Sequence, residues 1–202
     1  MSKGQLYLIS APSGAGKTSL VSALLKQDDK IKLSISHTTR APRDNEKNGV
    51  HYHFVTQEKF HELQMSNEFL EHANVYGNFY ATSQLKVTQM LDNGDDVILE
   101  IDWQGARQVE RLIPDSISIC IAPPSIQSLR NRLEARGTDE QSVIEERMVH
   151  AKDEINHLSD AKYIIINDNF SEAVTMLQAI FLANRLKYSR QQEKLKKLGL
   201  YE

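Results

Sequence analysis

A glycine-rich stretch near the N-terminus constrains the fold of this 202-residue chain more than any other feature. The sequence SAPSGAGKTS, at 10–19, follows the apolar run LYLI and precedes the helix-like run LVSALLK. A flexible loop between a buried strand and a helix start directs backbone N–H groups, and the positive end of the helix dipole, at an anion. The chain is therefore predicted to contain a strand–loop–helix unit that binds phosphate groups.

Residues 11–18, called here the phosphate loop, read APSGAGKT. The general pattern G-x-x-x-x-G-K-[ST] is met at Gly16, Lys17 and Thr18, whereas Ala11 occupies the position of the first glycine. We expect Lys17 to add its charge to the β- and γ-phosphates of a nucleotide, and Thr18 to place its hydroxyl on Mg²⁺. The predicted nucleotide-binding set in the loop is Ala11, Pro12, Ser13, Gly14, Ala15, Gly16, Lys17 and Thr18.

Apolar runs with the composition of strands recur along the chain, at 5–10, 96–102, 116–122 and 162–167. They are rich in Ile, Leu and Val without a clean alternation, which is typical of strands buried on both faces of a sheet. Helix-like segments lie between and after them, at 18–26, 84–91, 105–112, 125–135 and 171–198. This repetition predicts an α/β fold, a three-layer sandwich with a parallel sheet between two layers of helices.

Two segments interrupt this repetition, and both are expected to emerge beyond the carboxyl ends of the strands, where open α/β folds bind ligands. Residues 33–82, called here the insert lobe, carry short alternating strands such as KLSIS, which predicts a small, mostly β lobe. Residues 130–148, called here the lid, are predicted to form a charged hairpin of two helical pieces. The prediction is a single domain over 1–202, with a core formed by 1–32, 83–129 and 149–202.

The composition argues against several classes of partner. The net charge of −3 gives no electrostatic attraction to nucleic acid or to an anionic membrane surface. No apolar run approaches the roughly 18 residues of a membrane span, and the N-terminal apolar stretch is too short for a signal peptide. The single cysteine, Cys120, cannot form an internal disulfide and fits a reducing compartment. We therefore expect a cytoplasmic protein with no nucleic-acid or membrane partner, and a homo-oligomer is left open.

A second group of polar side chains, in the insert lobe, suits a phosphorylated acceptor. Arg40 and Arg43 offer guanidinium forks, and Tyr52 and Tyr80 offer hydroxyls, to the oxygens of a phosphate monoester. A carboxylate accepts two parallel hydrogen bonds, which suits N1–H and the exocyclic amino group of guanine better than adenine. The candidate base-reading set is Glu71, Ser36 and Thr82.

The phosphate loop alone is compatible with GTPases, ATPase motors and small-molecule kinases. A Ras-type GTPase carries an N-K-x-D motif after a strand, but the last predicted strand here ends in NDNF, at 167–170. A motor is usually larger or carries an oligomer-forming arm, and no such arm is evident. A kinase is therefore favoured, with the insert lobe as the binding site for its second substrate.

Several longer motifs point to one family. The run SHTTRAPRDNEKNGVHYHF, at 36–54, matches the signature SxTTRxPRxxExxGxxYxF, and EFLEHANVYGNFYATS, ILEIDWQGA and RLEARG follow in the same order and spacing. On these motifs the chain resembles the guanylate kinase family along essentially its whole length. The resemblance implies a phosphate-loop enzyme that uses ATP and Mg²⁺ to phosphorylate GMP, and dGMP, reversibly to the diphosphate, in the supply of GTP and dGTP precursors.

The resemblance also implies roles for individual residues of the acceptor site. The positions that hold the guanine base are Ser36, Glu71, Thr82 and Glu100. The positions that hold the GMP phosphate are Arg40, Arg43, Tyr52 and Tyr80. Glu100 departs from the Asp expected at its position, so the carboxylate remains but is one methylene longer.

Further roles follow from the resemblance for the transferring phosphoryl group and for ATP. The lid and hinge arginines that close over the phosphoryl group are Arg132, Arg136 and Arg147, which with Lys17 and Arg40 form the predicted catalytic set. Asn167 matches a position beside the adenine of ATP, and Asp102 matches a carboxylate near the nucleotides and the metal.

Three alternatives stay open at this point. Scaffold proteins contain domains that resemble guanylate kinase and bind protein partners, although their phosphate loop is degraded. A kinase of similar fold could act on a ribose bisphosphate or on another nucleoside monophosphate. The base-reading set would then have no guanine to bind. A regulatory GTP-binding protein is disfavoured by the missing N-K-x-D motif.

Overall fold

The computed structural model describes residues 3–135 and 141–200, so Arg136 of the predicted catalytic set lies outside the described residues. The strands are β1 Leu6–Ser10, β2 Ile31–Leu33, β3 His37–Thr38, β4 His53–Phe54, β5 Phe69–Val75, β6 Asn78–Ser83, β7 Asp96–Glu100, β8 Ile117–Ala122 and β9 Tyr163–Ile166. The helices are α1 Lys17–Leu25, α2 Gln57–Met65, α3 Gln84–Asp92, α4 Trp103–Leu112, α5 Ile126–Ala135, α6 Gln141–Asn156, α7 Phe170–Arg185 and α8 Tyr188–Lys197, with a short 3₁₀ helix at Leu158–Asp160.

A five-stranded parallel sheet, in the order β2-β7-β1-β8-β9, forms the core. Alternate residues of β1 face opposite layers, because successive side chains of a strand point to opposite faces. Tyr7 and Ile9 pack in a cluster with α1, α5, α6 and α7, whereas Leu6 and Leu8 pack with α3 and α4. The predicted α/β fold, with a parallel sheet between two layers of helices, is confirmed.

The insert lobe contains a separate four-stranded mixed sheet, in the order β4-β3-β6-β5. β3 pairs parallel with β4 and antiparallel with β6, and β5 pairs antiparallel with β6. The lobe also contains α2, a helix that the alternating pattern did not indicate. The hydroxyl of Thr56 caps α2 by accepting the N–H of Lys59, and Phe60 is fully buried against Phe69 and Phe79. The buried ring of Phe60 therefore packs α2 against the sheet.

The lid lies on α5 and α6, on either side of residues 136–140. Arg130 of α5 forms an ion pair with Glu145 of α6, with 2.6 Å between nitrogen and oxygen. The helix α6 continues beyond the predicted lid boundary at 148 and buries Ile144, Met148 and Ala151 in the core cluster. The second half of the lid is thus continuous with a helix that packs on the core.

Two strands differ from the sequence expectation. β2 pairs with β7 in the core sheet, although the sequence predicts that the KLSIS run, which begins within β2, belongs to the insert lobe. The run at 162–167 has the composition of a strand buried on both faces, but Tyr163, Ile164 and Ile166 of β9 are exposed. β9 lies at the edge of the sheet, next to β8, so its position rather than its composition decides its burial.

The C-terminal segment at 171–198 forms two helices instead of the single predicted one. Arg185, at the end of α7, and Arg190, in α8, both form ion pairs with the buried Asp96, at 2.6 and 2.9 Å. The break between the helices brings both guanidinium groups onto this one carboxylate. Within residues 3–135 and 141–200, no helix combines the length and the apolar composition that a bilayer crossing requires.

Candidate active site

A cavity of about 760 Å³ opens between the phosphate loop, the insert lobe and α6. The loops that follow β1 and β7 both reach it, since the carboxyl ends of neighbouring parallel strands meet at one edge of the sheet. The predicted site residues that line the cavity are Ala11, Pro12, Ser13, Gly14, Gly16, Lys17, Thr18, Ser36, Arg40, Arg43, Tyr52, Glu71, Tyr80, Glu100, Asp102 and Arg147. Residues as far apart in sequence as Ala11 and Arg147 are therefore brought to one cavity.

The phosphate loop turns sharply between β1 and α1, and two glycines permit the turn. Gly14 has a φ of +94° and Gly16 a φ of +97°, a region of backbone conformation that favours glycine. The helix α1 begins at Lys17, so the N–H groups of the loop and the helix dipole act on the same end of the cavity. The Lys17 ammonium donates to the carbonyl oxygen of Ile101 at 3.5 Å. A cation and a set of N–H donors together can bind a phosphate chain.

Two predicted site residues support the loop from behind. The side-chain amide of Asn167 donates to the carbonyl oxygen of Ala15 at 2.7 Å. The Arg132 guanidinium donates to the carbonyl oxygens of Asn167 and Ala15, at 2.8 and 3.4 Å. Ala15, Arg132 and Asn167 all lie outside the cavity wall. In this conformation they hold the backbone of the loop.

Arg40 and Arg43 line the insert-lobe side of the cavity, and Glu46 joins them. One terminal nitrogen of Arg40 donates to both carboxylate oxygens of Glu46, at 2.7 and 2.8 Å, and the backbone N–H of Arg43 donates to Glu46 at 2.8 Å. The Arg40 guanidinium also lies 5.5 Å from the ring centre of Tyr52. Burial raises the pKa of Tyr52 to about 12, so its hydroxyl stays protonated and can donate to a phosphate oxygen.

Glu71, on β5, brings a buried carboxyl group to the same side. Thr82, on the adjacent β6, donates its hydroxyl to Oε1 of Glu71 at 2.6 Å. On the other side lies Gly105 of α4, where an added Cβ would stand only 2.5 Å from Oε2 of Glu71. Burial raises the pKa of Glu71 to about 7, and the Thr82 hydrogen bond opposes that rise. Thr82 is fully buried and lies behind Glu71, outside the cavity wall.

Ser36 and Glu100 line the same cavity as Glu71. Glu100 ends β7, and its Oε1 is buried without a hydrogen-bond partner among the described residues. An unpaired buried polar oxygen costs about 1–3 kcal/mol, so this atom is suited to receive an N–H from a ligand. We call these three residues, which the sequence predicts to hold a guanine base, the guanine end of the cavity: Ser36, Glu71 and Glu100.

Two carboxyl groups flank the phosphate loop. Asp102 caps α4, where its Oδ1 accepts the N–H of Gly105 at 2.9 Å. Burial raises the pKa of Asp102, and the Lys17 ammonium opposes the rise. Glu154, on α6, is the second group, and burial raises its pKa to about 7. Both line the cavity close to the positive charge of Lys17.

Several polar residues that line the cavity were missed from the sequence: Glu46, Tyr76, Asn78, Glu146 and Glu154. Glu46 lies inside the run at 36–54, so a signal for it existed. Tyr76 precedes a glycine between two strand runs, which is a signal for a hairpin turn but not for a site. Glu154 lies in a helix rich in charged residues, where one carboxyl group does not stand out from the others.

Comparison with known proteins extends these observations to the whole chain. A family model described as guanylate kinase matches residues 3–184. The chain belongs to the guanylate kinase family. The guanylate kinase of Saccharophagus degradans is 55% identical over 191 residues, which cover 95% of this chain and 93% of that protein. The guanylate kinase of Alkalilimnicola ehrlichii is 53% identical over 189 residues, which cover 94% and 93%.

A solved structure agrees with the family assignment. The crystal structure of guanylate kinase from Anaplasma phagocytophilum has a TM-score of 0.81 and 32% sequence identity, and the match covers 100% of this chain and 98% of that one. The resemblance predicted from the motifs is confirmed, and so is an enzyme of an ATP-dependent kinase family with guanylate kinase activity.

Proposed function

We propose that the cavity holds ATP at the phosphate loop and GMP, or dGMP, at the guanine end, for the reaction ATP + GMP ⇌ ADP + GDP. The observation that carries this proposal is that the phosphate loop and the carboxyl group of Glu71 open onto one cavity of about 760 Å³. One cavity can hold the γ-phosphate of ATP next to the phosphate of GMP, as direct transfer between the two nucleotides requires.

Base selection would come from the guanine end. The ionised Glu71 carboxylate would accept N1–H and the exocyclic amino group of guanine side by side, with Thr82 holding it in orientation. Adenine has no N1–H, so one carboxylate oxygen would remain unpaired against it. A site built to hydrogen-bond a substrate can reject an analogue without the matching group by about 10⁴-fold or more. The unpaired Oε1 of Glu100 supports the same selection.

The chemistry would be an in-line displacement. The second pKa of a phosphate is about 6, so GMP is mostly dianionic at neutral pH and needs no strong general base. One of its phosphate oxygens would bond to the γ-phosphorus while the bond from that phosphorus to the β,γ-bridging oxygen breaks, and the electron pair leaves with ADP. The positive groups proposed to offset the charge repulsion are Lys17, Arg40, Arg132, Arg136 and Arg147.

The donor set beside the loop fits Mg²⁺. Thr18 offers a hydroxyl at the start of α1 and Asp102 offers a carboxyl group, and oxygen is the ligand atom that Mg²⁺ prefers. We propose Thr18 as the protein ligand, with Asp102 nearby. When bound, the ion would withdraw negative charge from the phosphate oxygens of ATP.

Closure of the site would exclude water, which competes with GMP as the acceptor. We propose that the insert lobe, residues 33–82, moves over GMP and that the lid, residues 130–148, closes over ATP. Arg132 now donates to backbone carbonyls behind the loop, so closure would have to bring its guanidinium to the phosphates.

The test is ADP formation by the purified protein with ATP and Mg²⁺ and, in parallel, GMP, dGMP, AMP, CMP and UMP. ADP that forms only with GMP and dGMP supports both the transfer and the assignment of the guanine end. Turnover with another monophosphate would keep the mechanism and overturn the role of Glu71. Nucleotide binding without turnover would favour a binding domain instead.

A further inference from the structure

The hairpin that joins β5 and β6 presents an unusual side chain at its tip. Two residues, Tyr76 and Gly77, connect the strands, and their φ values are +52° and +71°. Positive φ at both central positions is the pattern of a type I′ hairpin turn, which favours Asn, Asp and Gly there. An aromatic residue at the first position is strained, and strain of this kind persists where the rest of the structure makes use of it.

The Tyr76 side chain crosses from the insert lobe to α6. Its ring lies 4.6 Å from the ring of His150, at an interplanar angle of 73°. His150 and Glu154 are four residues apart on α6 and therefore share one face of that helix. The Tyr76 hydroxyl is buried and finds no hydrogen-bond partner within residues 3–135 and 141–200. Burial, and the negative charge of Glu154, raise the pKa of Tyr76, so the hydroxyl keeps its proton.

Glu154 offers the complementary group. Its Oε2 is buried and likewise lacks a partner in the described part of the chain. The Lys17 ammonium and the backbone N–H of Ser13, both in the phosphate loop, lie close enough to lower the pKa of Glu154 against the effect of burial. Glu154 thus stands between the hairpin tip of the insert lobe and the loop proposed to hold ATP.

We propose that the Tyr76 hydroxyl donates a hydrogen bond to Glu154 when the insert lobe closes, and that these two positioning residues link the GMP site to the ATP site. A buried donor and a buried acceptor that both lack a partner each disfavour the present arrangement. A small movement of the hairpin toward α6 would pair them and stabilise the closed form. This inference rests on the proposed function, because it assumes that GMP draws the insert lobe toward α6.

The consequence is a coupling between the two substrates. A ligand that closes the insert lobe would favour the Tyr76–Glu154 contact, which would fix Glu154 beside Ser13 and Lys17 in the geometry that receives ATP. Linkage requires the effect to be mutual, so ATP would tighten GMP binding by the same factor, typically about 5- to 150-fold. Neither residue touches a reacting atom, so their loss should reduce the coupling more than it changes the binding of either substrate alone.

The test is isothermal titration of GMP into the protein, with and without saturating β,γ-imido-ATP and Mg²⁺. The coupling factor is the ratio of the two dissociation constants. We expect Y76F, which keeps the ring against His150 and removes only the hydroxyl, to lower that factor about tenfold at pH 8, where Glu154 is mostly ionised, the size expected for a hydrogen bond to a charged group. E154A should do the same, E154Q should retain part of the coupling, and the Y76F/E154A double variant should match E154A alone.

Asp153 gives the matched control, because it is the exposed neighbour of Glu154 on α6. D153N removes the same charge and should leave the coupling factor unchanged. An unchanged factor in Y76F, multiplied effects in the double variant, or an equal loss in D153N would overturn the inference. A wild-type factor of one, with GMP-dependent ADP formation intact, would also overturn it and leave the proposed function standing. Absence of ADP formation with GMP would instead show that the proposed function itself is wrong.

Discussion

The phosphate loop and the guanine end of the cavity, which we propose as the sites for ATP and GMP, would recognise their ligands by different means. The loop relies on its backbone, with Gly14 and Gly16 at positive φ, N–H groups at the start of α1 and one cation, Lys17. The guanine end relies on carboxyl side chains, those of Glu71 and Glu100, in buried surroundings. The backbone N–H groups of the loop are a consequence of the fold itself. The guanine end, by contrast, requires ionisable side chains to be held away from water.

This difference has an energetic consequence. Backbone N–H groups at a helix start carry partial positive charge at any pH and need no burial of a full charge. A buried carboxylate is costly unless a ligand pairs with it, so the carboxyl groups of the guanine end reduce folding stability, and we propose that they add selectivity for GMP. Substitutions that create steric clashes should therefore reduce the use of ATP at the phosphate loop. Changes of charge or of pH should alter the affinity of the guanine end for GMP.

The largest effect is expected for G16A. The substitution places a Cβ on a residue with φ of +97°, and that Cβ would collide with the side-chain amide nitrogen of Asn167. The loop would have to shift, which also disturbs the hydrogen bond from Asn167 to Ala15. Because misplacement by about 1 Å can cost about 10²-fold in rate, we expect kcat/KM for ATP to fall by at least that factor. Steady-state kinetics with varied ATP measure it.

G199A is the control for backbone strain alone. Gly199 has a φ of +68°, no atom of residues 3–135 and 141–200 lies within 4 Å of an added Cβ there, and the residue is far along the chain from the loop. We expect G199A to leave kcat/KM for ATP unchanged. GMP binding to G16A, measured by calorimetry without ATP, should also stay near the wild-type value. A large loss of GMP binding in G16A would contradict the separation of the two ends.

The second effect concerns E71Q, which should weaken GMP binding and stabilise the fold. The amide can accept one hydrogen bond from guanine but turns a donor toward the other, so loss of a hydrogen bond to a charged group should raise KM for GMP about 10- to 100-fold. KM for ATP should change little. Kinetics with each substrate varied in turn separate the two constants.

The stability of E71Q follows from the pKa of Glu71, which is raised from 4.5 to about 7. The folded protein binds this proton more tightly, so the group costs no stability below pH 4.5, costs more as pH rises to 7, and its full cost applies above that. At about 1.4 kcal/mol per pKa unit, E71Q should gain up to about 3 kcal/mol at pH 8 and nothing near pH 4.5. Urea unfolding measures this, and E68Q, an exposed change in the same lobe, should show no such gain.

The same pKa predicts a pH dependence of about tenfold. With a pKa of about 7, the carboxylate fraction of Glu71 rises about tenfold between pH 6 and pH 8, and GMP binding should strengthen in proportion. The GMP phosphate also titrates near pH 6, so the decisive quantity is the ratio of wild-type to E71Q affinity at each pH. Calorimetry gives both. A flat ratio would mean that Glu71 does not change its protonation when GMP binds.

A feature of the fold or of the site could be predicted from the sequence when the residues that determine it lie close together in the chain. The phosphate loop is local, since eight consecutive residues specify it, and the core strands are continuous apolar runs. The edge position of β9 could not be predicted locally, because its apolar composition resembles that of the buried strands. The support that Arg132 gives to Ala15 spans 117 positions, and no spacing rule indicates it.

The guanine end shows the same limit. The sequence predicts that Glu71 and Thr82 belong to one base-reading set. It does not predict that Thr82 lies behind the carboxyl group of Glu71 and outside the cavity wall. Glu154 reaches the loop only because α6 extends past the lid and packs on the core. Such placements depend on tertiary packing, which a residue-by-residue pattern does not contain.

A glycine of α4 gives a smaller effect that only the packing explains. Glycine within a helix costs about 1 kcal/mol relative to alanine, but at Gly105 an added Cβ would stand 2.5 Å from Oε2 of Glu71. G105A should therefore displace the carboxyl group and raise KM for GMP about fivefold, within the cost of a disturbed hydrogen bond. R111A, an exposed change in the same helix, should have no effect on KM. An unchanged KM for GMP in G105A would mean that Glu71 tolerates the shift.

The smallest effect is expected for E46Q, because two consequences of the change oppose each other. Glu46 orients Arg40 through two hydrogen bonds, yet its charge would also compete with the phosphate of GMP for the same guanidinium. Loss of orientation should slightly outweigh the freed charge and raise KM for GMP about threefold, as expected for one partly exposed ion pair. Kinetics in E46Q and in E62Q, an exposed change in α2, give the comparison. A fall in KM would show that competition dominates and that Arg40 needs no carboxylate to hold it.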